Sequence, residues 1–185
     1  MAETRPRWIR VSMPMEGLDP WALLAPLRDD GARLMAWASP QQDISFVAIG
    51  ALLEHRPSGS NRFAEAGSWW EPIAQQMSSQ SIDGGPAAVH TPACLAGFAF
   101  QSRTDRSNDW EPWGDAALCV PEVLIWSESG ATTAVFTVDA TAGDVQPQVD
   151  ALKQTLNGWL TRTGSSSSAP AESTPVAEPH NEADW

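Results

Sequence analysis

The chain has almost no cysteine and no tyrosine. Only Cys94 and Cys119 occur among its 185 residues, and both lie in apolar, strand-like runs. Their spacing is typical of neither a disulfide framework nor a zinc site. The pair therefore predicts buried, reduced thiols in a reducing compartment, with one disulfide between them as the alternative.

Long apolar runs and positive charge are also scarce. No run approaches the roughly 20 apolar residues that cross a bilayer. The early arginines, Arg5 and Arg7, precede no apolar segment of the kind found in secretory signals. The net charge is −12, with 11 Lys and Arg residues against 23 Asp and Glu residues. Because such a surface repels phosphate backbones and anionic lipids, we expect no nucleic acid and no membrane among its partners, and a cytoplasmic location.

Residues that carry chemistry are hard to find. There is no Gly-x-Ser-x-Gly elbow to present a nucleophile. The segment Gly84-Gly85-Pro86 has neither the lysine nor the following helix of a phosphate-binding loop. The histidines, at a strand end, in a polar loop and in the tail, are His55, His90 and His180. We interpret them as surface residues, and we predict no catalytic, cofactor-binding or metal-binding residue in this chain.

One loop, residues 101–114, combines acidic side chains with two of the ten tryptophans. The acidic residues in and just after it are Asp105, Asp109, Glu111 and Asp115. Their spacing fits no EF-hand and arginines are interspersed, so a solvated loop is favoured over a calcium or magnesium site. Trp110 and Trp113 are unexpected in so polar a loop. They either cover a cleft or a partner, or fill the end of the sheet.

Alternating apolar and polar residues predict most of the strands. Residues 8–15 place Arg10 and Ser12 on one side, which predicts a half-buried strand. Residues 44–53 are almost wholly apolar, which predicts one strand covered on both faces. The other predicted strands are residues 33–38, 94–100, 117–127 and 132–139, the last two forming a hairpin through Glu128-Ser129-Gly130.

Three helices are predicted from capping residues and helical spacing. The first begins at Asp19-Pro20 and ends near Asp30-Gly31, where glycine suits a left-handed cap. The second carries an apolar stripe of Phe63, Ala66, Trp70, Ile73 and Met77, and the third a stripe of Val145, Val149, Leu152, Leu156 and Trp159.

Single residues and one polar segment should interrupt these elements. Pro72 lies inside the second helix and predicts a kink. Gly97 in mid-strand predicts a bulge or a close neighbour, and Pro121 predicts an edge position or a bulge. Residues 78–92 are polar and contain glycine and proline, which predicts a loop.

The predicted elements follow the order β α β β α β β β α. Strands are mostly consecutive, which predicts an α+β fold: an antiparallel or mixed sheet with about three helices packed on one side. We assign residues 1–163 to this scaffold domain. Residues 164–185 are rich in Ser, Pro and Glu and have nothing to bury, which predicts a disordered tail or linker.

Several short segments follow one another in a characteristic order between residues 8 and 139. They are Asp19-Pro20-Trp21-Ala22-Leu23-Leu24, Arg33-Leu34-Met35-Ala36-Trp37, Ala48-Ile49-Gly50-Ala51, Arg62-Phe63, Gly97-Phe98-Ala99-Phe100, an acid-flanked Trp110, and Leu118-Cys119-Val120-Pro121-Glu122-Val123-Leu124. Their order and spacing resemble the N-terminal region of isochorismate synthases of the menaquinone and siderophore pathways, which are chorismate-utilising enzymes. Pro72 departs from the usual pattern of that family.

The resemblance implies an α/β sandwich built from both halves of a longer chain. In that family a C-terminal half supplies a general-base lysine, a general-acid glutamate, the glutamates that bind Mg²⁺ and the contacts to the chorismate carboxylates. None of those motifs is present here, and the sequence stops about where that half would begin. No catalytic residue is therefore carried over.

Two functions remain open at this point. The first is the N-terminal scaffold portion of an isochorismate synthase, an isomerase, which is inactive without its catalytic half in cis or as a separate chain. It predicts an exposed apolar edge or face, with chorismate and Mg²⁺ bound only by the complete enzyme. The second is a non-catalytic binding or structural module with a self-sufficient core and a pocket near Trp110 and Trp113. The residues do not separate isochorismate from salicylate or anthranilate chemistry.

Overall fold

The computed structural model describes residues 6–82, 90–99 and 114–163. Three features singled out in the sequence lie outside these residues. They are the loop with Trp110 and Trp113, the segment Gly84-Gly85-Pro86, and the tail at 164–185 that contains His180. The predictions made for them stay predictions.

The described residues form strands, helices and two short 3-10 turns. The strands are β1 (Trp8–Pro14), β2 (Leu34–Ser39), β3 (Ile44–Ile49), β4 (Leu53–His55), β5 (Met77–Ser81), β6 (Leu95–Phe98), β7 (Ala116–Val120), β8 (Val123–Glu128) and β9 (Ala131–Asp139). The helices are α1 (Leu24–Asp29), α2 (Arg62–Gln75) and α3 (Val145–Thr163), and the turns are Pro20–Leu23 and Pro40–Gln42.

The strands are arranged in two sheets. Six strands lie in the order β2-β3-β8-β9-β1-β5, and three lie in the order β4-β7-β6. Neighbouring strands are antiparallel except β1 and β5, which run parallel. The predicted α+β class, with a mixed sheet and three helices, is confirmed.

One face of the six-stranded sheet, which we call the closed face, is covered by α1 and α3. Leu27 of α1 and Val149 and Leu156 of α3 pack there against Phe136 and Ile125 of the sheet. The residues of the apolar stripe predicted for the last helix are 4, 3, 4 and 3 positions apart. This stripe faces the strands, as expected. Each buried side chain of this size stabilises the fold by about 1.5–3 kcal/mol.

The ends of α1 and α3 are tied together at Asp30. Arg162 donates a hydrogen bond from Nη1 to Asp30 Oδ1 at 2.7 Å, and Trp159 donates from Nε1 to Oδ2 at 3.0 Å. The hydrogen bonds from Arg162 and Trp159 lower the pKa of the Asp30 carboxyl to about 2. As a result, the end of α3 at Thr163 lies beside the residues that lead from α1 into β2.

Both long apolar runs, each predicted as one strand, are broken where the chain passes from one sheet to the other. The first divides into β3 and β4 at Gly50, whose φ is +70°. The second divides into β7 and β8 at Pro121, which lies between the two strands and not at an edge or a bulge. Because β3 pairs with β8 and β4 pairs with β7, the two chain segments pass from one sheet to the other side by side. The apolar pattern hid this corner because apolar residues continue through it, and those after Gly50 (Ala51, Leu52 and Leu53) are half-buried.

Strand β1 is buried on both faces, so the prediction of a half-buried strand was wrong. Arg10 and Ser12 are as inaccessible as Ile9 and Val11 on the opposite side. The reason is that the chain near Thr91 crosses the second face of the sheet and accepts hydrogen bonds from Arg10.

Strand β5 (Met77–Ser81) overlaps the start of the segment 78–92, which was predicted as a loop, so that prediction was wrong for residues 78–81. Its sequence is Met-Ser-Ser-Gln-Ser, which has no apolar alternation. Backbone pairing with β1 forms this outer strand, and Ser12 adds a hydrogen bond from Oγ to the carbonyl of Gln80 at 3.2 Å. Backbone hydrogen bonds do not depend on apolar side chains, so the pattern could not reveal it.

The register of β6 runs without interruption through Gly97. Among the described residues, a Cβ placed at Gly97 would meet nothing within 4 Å. The predicted bulge was therefore wrong, and no described residue is the predicted close neighbour.

Helix α2 lies beside the three-stranded sheet, and most of its predicted apolar stripe is only partly covered. Ala66 is buried, whereas Phe63 is 58% exposed and stacks on Phe98 of β6 with ring centroids 4.8 Å apart. The helix continues through Pro72 for three further residues. The stripe from Phe63 to Ile73 lies on the helix as predicted, but Met77 was wrongly included, because it begins β5. Helical spacing alone does not say how large the opposing surface is or where the helix ends.

Candidate functional site

The second face of the six-stranded sheet, which we call the open face, differs from the closed face. Its buried apolar residues are Phe46, Ala48, Leu124 and Val135, packed with Leu95 of β6. Its buried polar residues are Arg10, Ser12, Thr133 and Thr137. The small sheet and the segment before it therefore cover only part of this face.

Arg10 fastens that covering segment to the sheet. Its Nη2 atom donates to the hydroxyl of Thr91 at 2.7 Å and to the carbonyl of Pro92 at 2.9 Å. Burial lowers the pKa of Arg10 to about 10, so the guanidinium is still charged at neutral pH. A buried charge persists only where hydrogen bonds compensate for lost water, which gives Arg10 a structural role.

Three aromatic side chains form a row across β2, β3 and β8 on the open face. Trp37 lies directly opposite Phe46, and Phe46 lies opposite Trp126. Ring centroids are 6.0 Å apart in both contacts. We call these three residues the aromatic row. Its outermost member, Trp37, is 47% exposed, and an exposed aromatic group next to buried ones is typical of a surface that binds another apolar surface.

Sequence reasoning did not find the aromatic row. The sequence singled out Trp110 and Trp113 as the tryptophans of interest. Trp37 and Trp126 come together because β3 lies between their strands. The available signal was an aromatic residue in each of three predicted strands, but the register that aligns them depends on long-range pairing.

A group of three charged residues links the two sheets. Glu54 of β4 accepts a hydrogen bond from Nη1 of Arg33 at 2.6 Å and another from Nε of Arg56 at 2.7 Å. The hydrogen bonds from Arg33 and then Arg56 lower the pKa of the Glu54 carboxyl to about 2. Because both arginines are about half exposed, the group contributes little to stability and serves mainly to fix the small sheet beside the start of β2.

The candidate residues that fall in the described part of the chain do not meet in one site. The ring of His55 stacks on Trp69 at 5.3 Å, and His90 is exposed, as predicted. The carboxylate of Asp115 accepts a hydrogen bond from the backbone N–H of Gly59 at 2.6 Å. Asp115 therefore holds the loop before α2 in place.

Within residues 6–82, 90–99 and 114–163, no group of three His, Cys, Asp or Glu side chains could hold a metal ion. None of the helices in these same ranges is long and apolar enough to cross a bilayer.

Cys94 and Cys119 are free thiols, so the disulfide alternative is not realised. Burial raises the pKa of Cys94 to about 11 and also raises the pKa of Cys119. Both thiols stay protonated at neutral pH, which is typical of structural cysteines and not of nucleophiles.

Comparison with known proteins relates this scaffold to a family. A family model described as chorismate binding enzyme matches residues 1–185. The chain is also similar to the salicylate biosynthesis isochorismate synthase of Pseudomonas aeruginosa, with 27% identity over 124 residues. That match covers 67% of this chain and 24% of the relative, so it spans about a quarter of the relative's length. No solved structure matches the chain significantly.

Proposed function

Because the chain belongs to the chorismate-binding enzyme family, we propose that it is the N-terminal scaffold of an isochorismate synthase. In this proposal the chain supports the site where chorismate becomes isochorismate, and a second polypeptide segment, the catalytic half, supplies the reacting groups. Similarity to a relative named as an isochorismate synthase favours this chemistry over salicylate or anthranilate formation.

The observation that carries the proposal is the incomplete covering of the open face. The closed face is buried beneath α1 and α3, whereas the aromatic row leaves Trp37 almost half exposed. The matched region accounts for 24% of the relative, so most of that relative has no counterpart in the match. A scaffold with one face covered by helices and one face partly exposed fits a protein that functions together with further polypeptide.

We assign Mg²⁺ and the substrate contacts to the catalytic half. Mg²⁺ prefers carboxylate and water oxygens, and the described residues offer no cluster that fits it. Several carboxylates pair with arginines instead, namely Glu54 with Arg33, Asp30 with Arg162 and Asp139 with Arg7. Chorismate is a dicarboxylate, which a chain with a net charge of −12 repels unless cations come from elsewhere.

An activity assay tests this division of labour. Purified full-length chain is incubated with chorismate and Mg²⁺, alone and after co-expression with the polypeptide encoded directly downstream, and isochorismate is measured by chromatography. We expect no turnover from the chain alone and turnover from the pair, with the downstream polypeptide alone as the control. Turnover by the chain alone would contradict the assignment of the catalytic residues. Absence of turnover in the pair would refute the proposed function.

We further propose that the complete enzyme is cytoplasmic and supplies isochorismate to menaquinone or siderophore biosynthesis. The free thiols of Cys94 and Cys119 support a reducing compartment. Disruption of the gene should lower the host's isochorismate-derived products, and cell fractionation should recover the chain with the cytoplasm. Unchanged product levels would contradict the pathway assignment.

A further inference from the structure

Among the described residues, strand β2 is an outer strand of the six-stranded sheet. In the described part of the chain it pairs with β3 alone, and its sequence Leu-Met-Ala-Trp-Ala-Ser has no charge and no proline. Outer strands of soluble proteins are usually protected, because an open ladder recruits other strands. Here β4 carries Glu54, β5 is polar, and β6 is only four residues long. β2 has none of these protections.

The register shows which backbone groups of β2 are available. Gly50 donates from its backbone N–H to the carbonyl of Arg33 at 3.0 Å, so these two residues form a hydrogen-bonded pair. Such pairs alternate along an antiparallel ladder, which turns the backbone groups of Met35 and of every second residue toward β3. The residues whose backbone groups point away from the sheet are Leu34, Ala36 and Ala38.

The aromatic row reaches this same edge. Trp37 is its outermost member, and within the described ranges its aromatic neighbour is Phe46 of β3. A strand added to β2 would bring a side chain opposite Trp37 and continue the row by one residue. The backbone edge and the apolar side chains thus form one continuous surface, which we call the β2 surface.

The course of the chain delivers further polypeptide to this place. α3 ends at Thr163, and the neighbouring Arg162 is paired with Asp30 at the end of α1. Asp30 is followed closely by Leu34, the first residue of β2. The chain therefore leaves α3 beside the β2 surface, and residues 164–185 connect this point to any polypeptide that follows.

We propose that the β2 surface is the docking site of the catalytic half, which adds a strand to β2 and covers Trp37. This inference rests on the proposed function above. Where α3 ends favours polypeptide that follows this chain over an unrelated partner. A second copy is a poorer occupant, because two chains that each carry a net charge of −12 repel one another.

Binding of the full-length chain to the downstream polypeptide tests the proposal by calorimetric titration. Ala36→Pro removes an outward N–H without touching the β2–β3 ladder, and Trp37→Glu places a charge on the covered surface. The matched control is Trp21→Glu, because Trp21 is also exposed, at 39%, and belongs to the 3-10 turn Pro20–Leu23 and not to β2. We expect both β2 variants to weaken binding at least about tenfold and the control to change it by less than about twofold.

Hydrogen exchange in the wild-type complex gives a readout that does not depend on how the variants fold. We expect new protection of the amides of Leu34, Ala36 and Ala38 on binding, and no change for Met35 and Trp37, which already face β3. Folded variants that bind like wild type, or an unchanged exchange pattern, would overturn the docking site while leaving the proposed function intact, provided that the wild-type pair converts chorismate. A wild-type pair that neither binds nor turns over would overturn both. Self-association of the chain abolished by Trp37→Glu, without binding of the downstream polypeptide, would assign the surface to a second copy.

Discussion

The two faces of the six-stranded sheet are finished to different degrees. On the closed face, Leu27, Val149 and Leu156 of two helices pack on strand residues and exclude solvent. On the open face, a short segment held by Arg10 and a three-stranded sheet cover one part, and Trp37 of the aromatic row remains exposed at the edge. The buried apolar residues of the closed face stabilise the fold. The exposed part of the open face is the surface available to a partner.

The largest expected effect is loss of a side chain from the closed face. Phe136→Ala removes a ring with no solvent exposure and should lower the free energy of unfolding by about 3–5 kcal/mol. Trp37→Ala on the open face removes a larger but half-exposed side chain and should cost less than about 1 kcal/mol. Urea unfolding of both variants measures the contrast. Equal losses would mean that the two faces contribute alike.

The next effect concerns the attachment of the segment that covers the open face. Arg10→Met removes the donors to Thr91 and Pro92 and should destabilise the protein by about 1–3 kcal/mol. Hydrogen exchange of residues 90–95 should accelerate, since their anchor on β1 is lost. Arg28→Met is the control, because Arg28 is largely exposed. An Arg10 variant as stable as this control would show that the covering segment is held by other contacts.

The corner between the sheets should tolerate little change. Gly50→Ala forces a Cβ into a left-handed conformation at φ +70°, which costs roughly 1–2 kcal/mol. The new atom would also run into the carboxylate of Glu122, which must move. Gly97→Ala in β6 is the matched control and should be neutral or stabilising, because nothing described lies near its Cβ. Thermal unfolding compares the two, and a neutral Gly50→Ala would contradict the role of this glycine.

The smallest effect should come from the charged link between the sheets. The pKa of Glu54 falls from 4.5 to about 2 on folding, so its ion pairs stabilise the protein above pH 4.5 and are lost as pH falls toward 2. Glu54→Gln should cost about 0.2–1 kcal/mol at neutral pH, because both arginine partners are about half exposed and water screens the ion pairs. The difference from wild type should shrink between pH 4.5 and pH 2, and also at high salt. A difference independent of pH would point to packing in place of charge.

The sequence allowed the closed face to be predicted much better than the open face. The spacing of Val149 and Leu156 predicts from the local sequence which side of α3 is apolar, and that side packs on the sheet as expected. The aromatic row depends instead on which strands become neighbours, which local pattern does not encode. The corner at Gly50 was missed because apolar residues continue through it. The polar strand β5 was missed because backbone hydrogen bonds to β1, and not apolar side chains, form it.

The candidate site could be predicted only as a class of enzyme. Ordered segments indicated the chorismate-utilising family, and the family match confirms it. The histidines and acidic residues that could be searched for by spacing did not converge in the described residues, because Asp115 supports a turn and His55 stacks on Trp69. The surface that now carries the functional argument consists of Trp37, an aromatic residue, and backbone groups, which no motif search scores.

The corner at Gly50 and Pro121 also has a consequence for how the molecule unfolds. Two chain segments, β3–β4 and β7–β8, each contribute a strand to both sheets, so separating the strands of one sheet disturbs strands of the other. The large and small sheets should therefore behave as one cooperative unit with a single transition. A partner that grips only the β2 edge would then slow opening of the whole molecule, including the small sheet that it does not contact.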